Sequence, residues 1–126
     1  MGLHNAICWN AKMIFSVPCC QHELNKQIKT DTFSLLTEYG IIGERFSALM
    51  TDAIRGKLLE YSGYKTQLLE FIDFAHTPKN ILIRAIRNPQ MSAKTKKCAL
   101  TQIENVMGEF NVRPTLYELV IDKNKF

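Results

Sequence analysis

Two apolar runs in the second half of the chain, separated by a short polar connection, constrain the fold more than any other feature. The runs lie within residues 64–73 and 80–87, and both have the composition of buried strands. A parallel strand pair needs a crossover of about a dozen residues or more, which this connection does not provide. The sequence therefore predicts an antiparallel hairpin. Its first strand is almost continuously apolar, which predicts that both of its faces are covered.

The rest of the chain supplies one more strand and several helices. A short apolar strand over residues 12–17 is ended by Pro18, because proline cannot donate a hydrogen bond to a sheet. The predicted helices are residues 2–12, 32–39, 43–62, 93–110 and 116–121, with Ser92 as a cap and Gly40 and Gly63 as helix ends. The longest helix has one apolar stripe, assigned to the core: Phe46, Leu49, Met50, Ala53, Ile54 and Leu58. This order of elements predicts an α/β fold.

Length and composition limit the class of protein. With 126 residues, the chain is long enough for one domain with its own core, and we assign residues 1–126 to a single domain. No apolar run approaches the roughly 20 residues that span a bilayer, and the N-terminus lacks the pattern of a secretory signal. The four cysteines form no Cys-x-x-Cys pair. We therefore expect a cytoplasmic protein with reduced thiols and no membrane contact.

Positive charge is concentrated in one segment. The net charge is +4, and no acidic residue occurs between Asp73 and Glu104. That segment holds six cations: Lys79, Arg84, Arg87, Lys94, Lys96 and Lys97. Because a field of one sign attracts phosphate, the last five are candidate nucleic-acid contacts. The alternative is a solvated basic loop and helix start without a partner.

A dense polar cluster directly follows the first strand. It contains two thiols, an imidazole, a carboxylate and two carboxamides: Cys19, Cys20, His22, Glu23, Gln21 and Asn25. Open α/β sheets build ligand sites where strands end, so this cluster is a candidate site. His22 is suited to take a proton from a hydroxyl or amine substrate, with Glu23 orienting the imidazole. The carboxamides are suited to pair with a base edge or a ribose.

The two thiols of this cluster have alternative interpretations. A nucleophilic cysteine needs a nearby cation or a helix N-terminus, and His22 is close in sequence. Free cysteines are also among the most buried side chains, which would make Cys19 and Cys20 inert packing residues. A zinc site with a fourth ligand from elsewhere in the chain is a further alternative. Adjacent cysteines strain the tetrahedral geometry, however, and we expect no metal.

The connection between the two hairpin strands is the second candidate region. The segment His76-Thr77-Pro78-Lys79-Asn80 is polar, basic and stiffened by proline, so it is suited to grip a phosphate or shape a substrate pocket. The same residues are also good turn formers with no further role. By contrast, Trp9 and the four tyrosines lack the spacing of a base-stacking sheet, and we assign them to packing.

These motifs together resemble a known family. Residues 17–25, Val-Pro-Cys-Cys-Gln-His-Glu-Leu-Asn, resemble a segment of bacterial class I S-adenosylmethionine-dependent methyltransferases that are related to RNA-modifying enzymes. Residues 35–53 resemble the helices that follow this segment in the family, and residues 71–80 resemble its Glu-His-Thr-Pro-Lys-Asn loop. The resemblance extends over most of the chain, from near residue 5 to near residue 120.

The resemblance implies both a fold and an activity. The fold would be a partial Rossmann-like class I methyltransferase domain: the C-terminal half of the sheet, with one short strand plus an antiparallel hairpin, flanked by helices. In the family the last strand is inserted antiparallel to the others. The activity would be methyl transfer to RNA, with S-adenosylmethionine as cofactor. The implied catalytic residues are Cys19, Cys20, His22 and Glu23, and the implied substrate-binding residues are Pro18, Gln21, Asn25, His76, Lys79 and Asn80.

One part of the family pattern has no counterpart here. The six glycines form no Gly-x-Gly turn after a strand, and the family's first four strands are missing. We therefore expect this chain alone to bind the cofactor poorly and to be inactive. The first strand would have a bare edge, which either the remaining helices cover or another chain pairs with. We expect a second copy of this chain, or a polypeptide that supplies the cofactor half. The alternatives are a non-catalytic basic α/β module that binds nucleic acid or a protein partner, and a folded remnant without activity.

Overall fold

The computed structural model describes residues 2–17, 24–70 and 81–121. Its helices are α1 (Gly2–Cys8), α2 (Leu35–Glu38), α3 (Gly40–Tyr61), α4 (Ala93–Phe110) and α5 (Thr115–Ile121), with a 3₁₀ helix at Leu24–Lys26. Its strands are β1 (Met13–Ser16), β2 (Tyr64–Glu70) and β3 (Ile81–Arg87). The predicted α/β class is therefore confirmed.

The three described strands form one sheet in the order β1-β3-β2. The last strand in the chain, β3, lies in the middle and is antiparallel to both neighbours. β2 and β3 form the predicted antiparallel hairpin, with Tyr64 opposite Arg87 and Glu70 opposite Ile81. Because β1 and β2 both run against β3, they are parallel to each other.

The sheet has one covered face, called here the inner face. Its central row is Ile14, Ala85 and Thr66, and the buried Ile83 lies beside this row on the same face. Helix α3 packs against the inner face through Gly56, where a Cβ atom would already lie 3.5 Å from Leu68 Cδ2. A side chain longer than alanine at this position would push the helix away from the sheet.

The opposite face, called here the outer face, carries the alternate residues of each strand. Its central row is Phe15, Arg84 and Gln67, and the row beside it is Met13, Ile86 and Lys65. Phe15 is 58% exposed and Met13 is 51% exposed. In the part of the chain that the structure describes, no helix packs over these two rows.

Strand β1 lies at an edge of the described sheet. The backbone N–H of Arg87 donates to the carbonyl of Lys12 at 2.9 Å, so these two residues form a hydrogen-bonded pair. Since such pairs alternate along an antiparallel ladder, Met13 and Phe15 direct their backbone N–H and C=O groups away from β3. No strand within residues 2–17, 24–70 or 81–121 pairs with them.

Strand β2 corrects one prediction. It was expected to be covered on both faces, but Leu68 is 44% exposed and Leu69 is 39% exposed. β2 lies at the other edge of the described sheet, and α3 packs on only one of its faces. An apolar run alone does not tell a fully covered strand from an edge strand, because edge position depends on what pairs beside it.

Helix α3 corrects a second prediction, that of a single apolar stripe. Met50, Ile54 and Leu58 are buried as expected, whereas Leu49 and Ala53 are exposed. The buried side of α3 also includes four polar residues, Ser47, Thr51, Asp52 and Arg55. The helix is therefore buried along a surface that is partly apolar and partly polar.

Local signals predicted several helix ends. Ser92 caps α4, and its hydroxyl accepts the N–H of Thr95 at 3.2 Å. Gly63 follows α3 with a φ of 98°, a conformation that favours glycine. Gly40, in contrast, is the first residue of α3 and does not close the preceding helix, which is limited to Leu35–Glu38.

The aromatic residues assigned to packing divide into two groups. Tyr64 and Tyr117 are buried, as predicted. The prediction was wrong for Trp9, which is 77% exposed just after α1, and for Tyr39, which is 57% exposed before α3. Both lie at helix ends, where one side of the residue lacks a neighbouring turn to cover it.

Tyr64 links β2 to the loop between α1 and β1 and makes stability depend on alkaline pH. Its hydroxyl donates to the carbonyl of Ala11 at 2.7 Å. Burial raises the pKa of the Tyr64 phenol, and the nearby Arg87 guanidinium partly opposes this shift. The folded state therefore holds the phenolic proton more tightly than the unfolded chain does. The resulting stabilisation is complete below the unfolded value of about 10 and is lost as the pH rises through the folded pKa.

We accordingly expect the Tyr64→Phe variant to show a weaker loss of stability between neutral pH and pH 11 than the wild type. At neutral pH the variant should be about 1 kcal/mol less stable, because the Ala11 carbonyl loses its donor. Urea unfolding at a series of pH values measures both effects. Parallel alkaline curves for the two proteins would contradict the assignment.

Candidate functional site

Most of the predicted catalytic and substrate-binding residues lie outside the described part of the chain. They are Pro18, Cys19, Cys20, Gln21, His22 and Glu23 in the first candidate region, and His76, Lys79 and Asn80 in the second. The structure does describe the residues on either side of both regions. The geometry of the site is therefore built from these flanking residues.

The flanks of both regions meet at one end of the sheet. β1 ends at Ser16, which is opposite Ile83 near the start of β3. β2 ends at Glu70, which is opposite Ile81, the first residue of β3. The chain thus leaves β1 for the first region and leaves β2 for the second region at the same end of the sheet, called here the site end. Sheet ends of this kind are where α/β proteins build ligand sites.

Buried apolar residues anchor the flanks of the first region. Ile14 of β1 and Leu24 of the 3₁₀ helix are both in the hydrophobic core, and Leu24 is fully buried. A short segment between two buried anchors begins and ends at fixed points.

Asn25 is the one predicted substrate-binding residue that the structure describes. It is exposed on the 3₁₀ helix, and its Oδ1 accepts the hydroxyl of Ser47 on α3 at 3.4 Å. The Ser47 hydroxyl also donates to the carbonyl of Glu44 at the shorter distance of 2.9 Å. The contact between Asn25 and Ser47 is therefore weak, and it leaves the Asn25 amide group available to a ligand.

A buried polar row on α3 starts at this contact, and the sequence analysis missed it. Ser47, Thr51 and Arg55 are spaced four residues apart, so they form one line along the helix. Thr51 donates to the carbonyl of Ser47 at 2.8 Å, and Arg55 Nη1 lies 3.5 Å from Asp52 Oδ1. Asp52 is 1% exposed and Arg55 is 7% exposed. The signal that was available is the four-residue spacing of polar side chains inside a helix assigned to the core.

The candidate nucleic-acid cations do not form a single surface. Arg84 lies on the outer face, where its Nη1 donates to Gln67 Oε1 at 3.4 Å. Arg87 projects to the other side of β3, and its Nη1 donates to the carbonyl of Asn10 at 3.2 Å, which gives it a structural role. Lys94 and Lys97 are exposed in the first turns of α4. Lys96 approaches Gly63 and so lies beside the turn between α3 and β2.

Thiols, metals and membranes add little to the site. Cys8 and Cys98 are exposed free thiols, and Cys8 Sγ lies 3.5 Å from His4 Nε2 one helical turn away. No group of three or more metal-ligating side chains occurs within residues 2–17, 24–70 and 81–121. Over the same residues, none of the helices has the length and apolar character of a membrane span.

Comparison with known proteins does not identify a family. No protein-family model matches this chain, and no curated protein or solved structure matches it either. The structure defines an α/β chain whose three described strands form an antiparallel sheet, with the described flanks of both candidate regions at one sheet end. The methyltransferase resemblance remains a prediction.

Proposed function

We propose that this chain is the substrate-side part of an S-adenosylmethionine-dependent methyltransferase that acts on RNA. The observation that carries the proposal is the position of β3, which lies between β1 and β2 and is antiparallel to both. The apolar runs predict only that β2 and β3 form a hairpin. The family resemblance implies that the last strand is inserted antiparallel to the others, and β3 is antiparallel to both β1 and β2. The agreement supports a partial Rossmann-like class I methyltransferase fold.

The meeting of the described flanks of the two candidate regions at the site end also supports the proposal. Segments that resemble the two signature motifs of the family are 45 residues or more apart in sequence, yet their described flanks meet across β3. In the proposed site, His22 takes the proton from the RNA acceptor group, and Glu23 orients its imidazole. Cys19 and Cys20 line the same site. Pro18 and Gln21, with Asn25 and the residues of the hairpin loop, contact the RNA.

The described glycines do not provide the cofactor turn that the family resemblance implies. Three glycines, Gly40, Gly43 and Gly56, lie in α3, and Gly108 lies in α4. Gly63 follows a helix, so none of these five glycines follows a strand as the family's cofactor turn does. We therefore derive no step that involves the cofactor. The proposal assigns cofactor binding to a second polypeptide.

The bare edge of β1 is where we propose that this second polypeptide pairs. An edge with unpaired N–H and C=O groups is a template for another strand, and β1 carries no charge, proline or bulge that would protect it. A second copy of this chain is the alternative partner. A cytoplasmic location, where RNA is available, follows from the proposed substrate.

A second candidate function is a non-catalytic module that binds nucleic acid. The exposed cations Lys94 and Lys97 and the guanidinium of Arg84 favour it, because phosphate contacts need no chemistry at the site end. The two functions agree on RNA binding and differ in methyl transfer.

The experiment compares two preparations. The first is the chain purified alone, and the second is the complex that co-purifies with a tagged chain expressed at its native level. We expect both preparations to bind RNA, and only the complex to transfer labelled methyl groups from S-adenosylmethionine to RNA. The variant His22→Ala in the complex should reduce transfer at least about 100-fold, the usual contribution of a positioned acid–base group, while RNA binding persists. RNA binding without transfer by the complex would favour the non-catalytic module. No RNA binding by either preparation would overturn both functions.

The β1 edge has its own test. In the Met13→Pro variant, the first residue of β1 loses a backbone N–H that points away from β3, so the sheet itself loses no hydrogen bond. We expect the variant to stay folded and to lose its partner, as measured by light scattering after size exclusion. Proline at Leu35, the exposed first residue of α2 where proline is tolerated, is the control and should leave both folding and association intact. If the wild-type chain isolated at its native level has no partner, this role for the edge is contradicted.

A further inference from the structure

We infer that the outer face of the sheet binds single-stranded RNA, with bases stacked on Phe15 and phosphates held on the β2 side. This inference rests on the proposed RNA-directed function and identifies the surface that performs the binding. The outer face is not covered by any described helix, and Phe15, the one aromatic residue at its described positions, is 58% exposed. An exposed aromatic ring on a sheet face is a stacking platform that accepts any base.

The central row of the outer face combines three complementary groups. Phe15, Arg84 and Gln67 lie side by side across β1, β3 and β2. The Arg84 Nη1 donates to Gln67 Oε1 at 3.4 Å, so the guanidinium is directed to the β2 side of the row. A planar guanidinium stacks on bases and pairs with phosphate, and the Gln67 amide has a donor to offer a base edge.

The two neighbouring rows show that polarity changes in one direction across the face. On β1 the outer residues are Met13 and Phe15, whereas on β2 they are Lys65, Gln67 and Leu69. The β1 side of the face is therefore apolar, and the β2 side carries a cation and an amide beside one leucine. A single nucleic-acid strand has the same asymmetry, with bases along one side and phosphates along the other.

Charge distinguishes RNA from a second copy of the chain as the occupant. The described outer-face positions of the three strands carry Lys65 and Arg84 and no carboxylate. Glu70, at the end of β2, belongs to the inner face. Two such faces brought together would place cations against cations without a compensating anion. A polyanion satisfies the same charges, so charge complementarity favours RNA.

The test measures the affinity for a fluorescent 12-nucleotide single-stranded RNA of mixed sequence by anisotropy at fixed salt. The Phe15→Leu variant keeps the apolar character of the exposed position and removes the ring, so folding should persist. We expect its affinity to fall about tenfold, the effect of losing one stacked base. Phe15→Tyr should restore binding. Arg84→Gln should weaken binding to a similar extent. Tyr39→Leu, which removes an exposed ring away from the sheet, is the matched control and should bind like the wild type.

Each other outcome is informative. A Phe15→Leu variant that binds RNA like the wild type overturns this inference and leaves RNA binding in place. A wild type that does not bind the RNA overturns the RNA part of the proposed function as well. If the variants lose as much affinity for a 12-base-pair duplex, whose bases are not available for stacking, base stacking on Phe15 is contradicted. A Phe15→Leu variant with altered oligomeric state and unchanged RNA affinity would make the face a protein interface.

Discussion

Replacing Asp52 by alanine should lower the free energy of unfolding by about 3–5 kcal/mol. Asp52 and Arg55 are one turn apart on α3, both are almost fully buried, and their charged groups are 3.5 Å apart. Removing one member leaves the other charge buried in a poorly polarisable environment. Urea unfolding followed by circular dichroism measures the change.

The same helix offers a matched control. Lys57 and Glu60 have the same spacing on α3 and a shorter contact of 3.1 Å, but their side chains are 39% and 26% exposed. Because solvent screens such a pair, Lys57→Ala should cost at most about 1 kcal/mol. Comparable losses in Asp52→Ala and Lys57→Ala would mean that burial does not govern the first effect.

A double substitution tests whether the Asp52–Arg55 ion pair contributes to methyl transfer as well as to stability. If the ion pair serves stability alone, Asp52→Leu/Arg55→Leu should recover much of the loss, because apolar residues can replace a buried pair at little cost. If the variant recovers stability and the native complex loses methyl transfer, the polar row on α3 contributes to the site next to Asn25. Retained transfer in the stable double variant would limit the row to a structural role.

Local chemistry explains which parts of the fold were predictable from the sequence. The cap at Ser92 and the helix end at Gly63 depend on residues within three positions, and both were predicted correctly. The hairpin of β2 and β3 depends on a short connection, which leaves only the antiparallel arrangement. The prediction succeeded where the deciding interaction lies within a few residues along the chain.

The wrong predictions depend on neighbours that are distant in sequence. Leu49 and Asp52 are three residues apart on α3, and the leucine is exposed while the aspartate is buried. Periodicity identifies a helix but not which sides of it are covered, and burial of a charge depends on a partner such as Arg55. The exposure of Leu68 on β2 likewise depends on the absence of a described strand beside it.

The candidate site was only partly predictable, because the position of its two regions relative to each other depends on residues that are distant in sequence. The sequence shows a polar cluster after β1 and a polar loop between β2 and β3, but not that their flanks share one sheet end. That juxtaposition needs the register, in which Ser16 is opposite Ile83 and Glu70 is opposite Ile81. The sequence also grouped Arg84 with Arg87, although positions three apart on a strand project to opposite faces.

Neutralising the lysines at the start of α4 should produce the largest loss of RNA affinity among charge substitutions. The Lys94→Gln/Lys96→Gln/Lys97→Gln variant removes three cations from one helical stretch, two of them exposed. Each phosphate contact with a single strand contributes about 0.7 to the slope of log affinity against log salt, so three lost contacts should reduce that slope by about 2. Anisotropy titrations with the single-stranded RNA between 50 and 200 mM salt, roughly the range over which such contacts weaken strongly, measure the slope.

A second triple variant separates local contacts from net charge. Lys26→Gln/Lys29→Gln/Arg45→Gln removes the same charge from exposed positions on the 3₁₀ helix, the loop after it and α3. Both variants reduce the formal net charge from +4 by three, to +1. If the α4 lysines contact phosphate, only the α4 variant should lose slope, because the number of counterions released depends on phosphates contacted and not on total charge. Equal losses would assign the affinity to the overall field of the protein, and a full slope in the α4 variant would leave the outer face of the sheet as the source of the phosphate contacts.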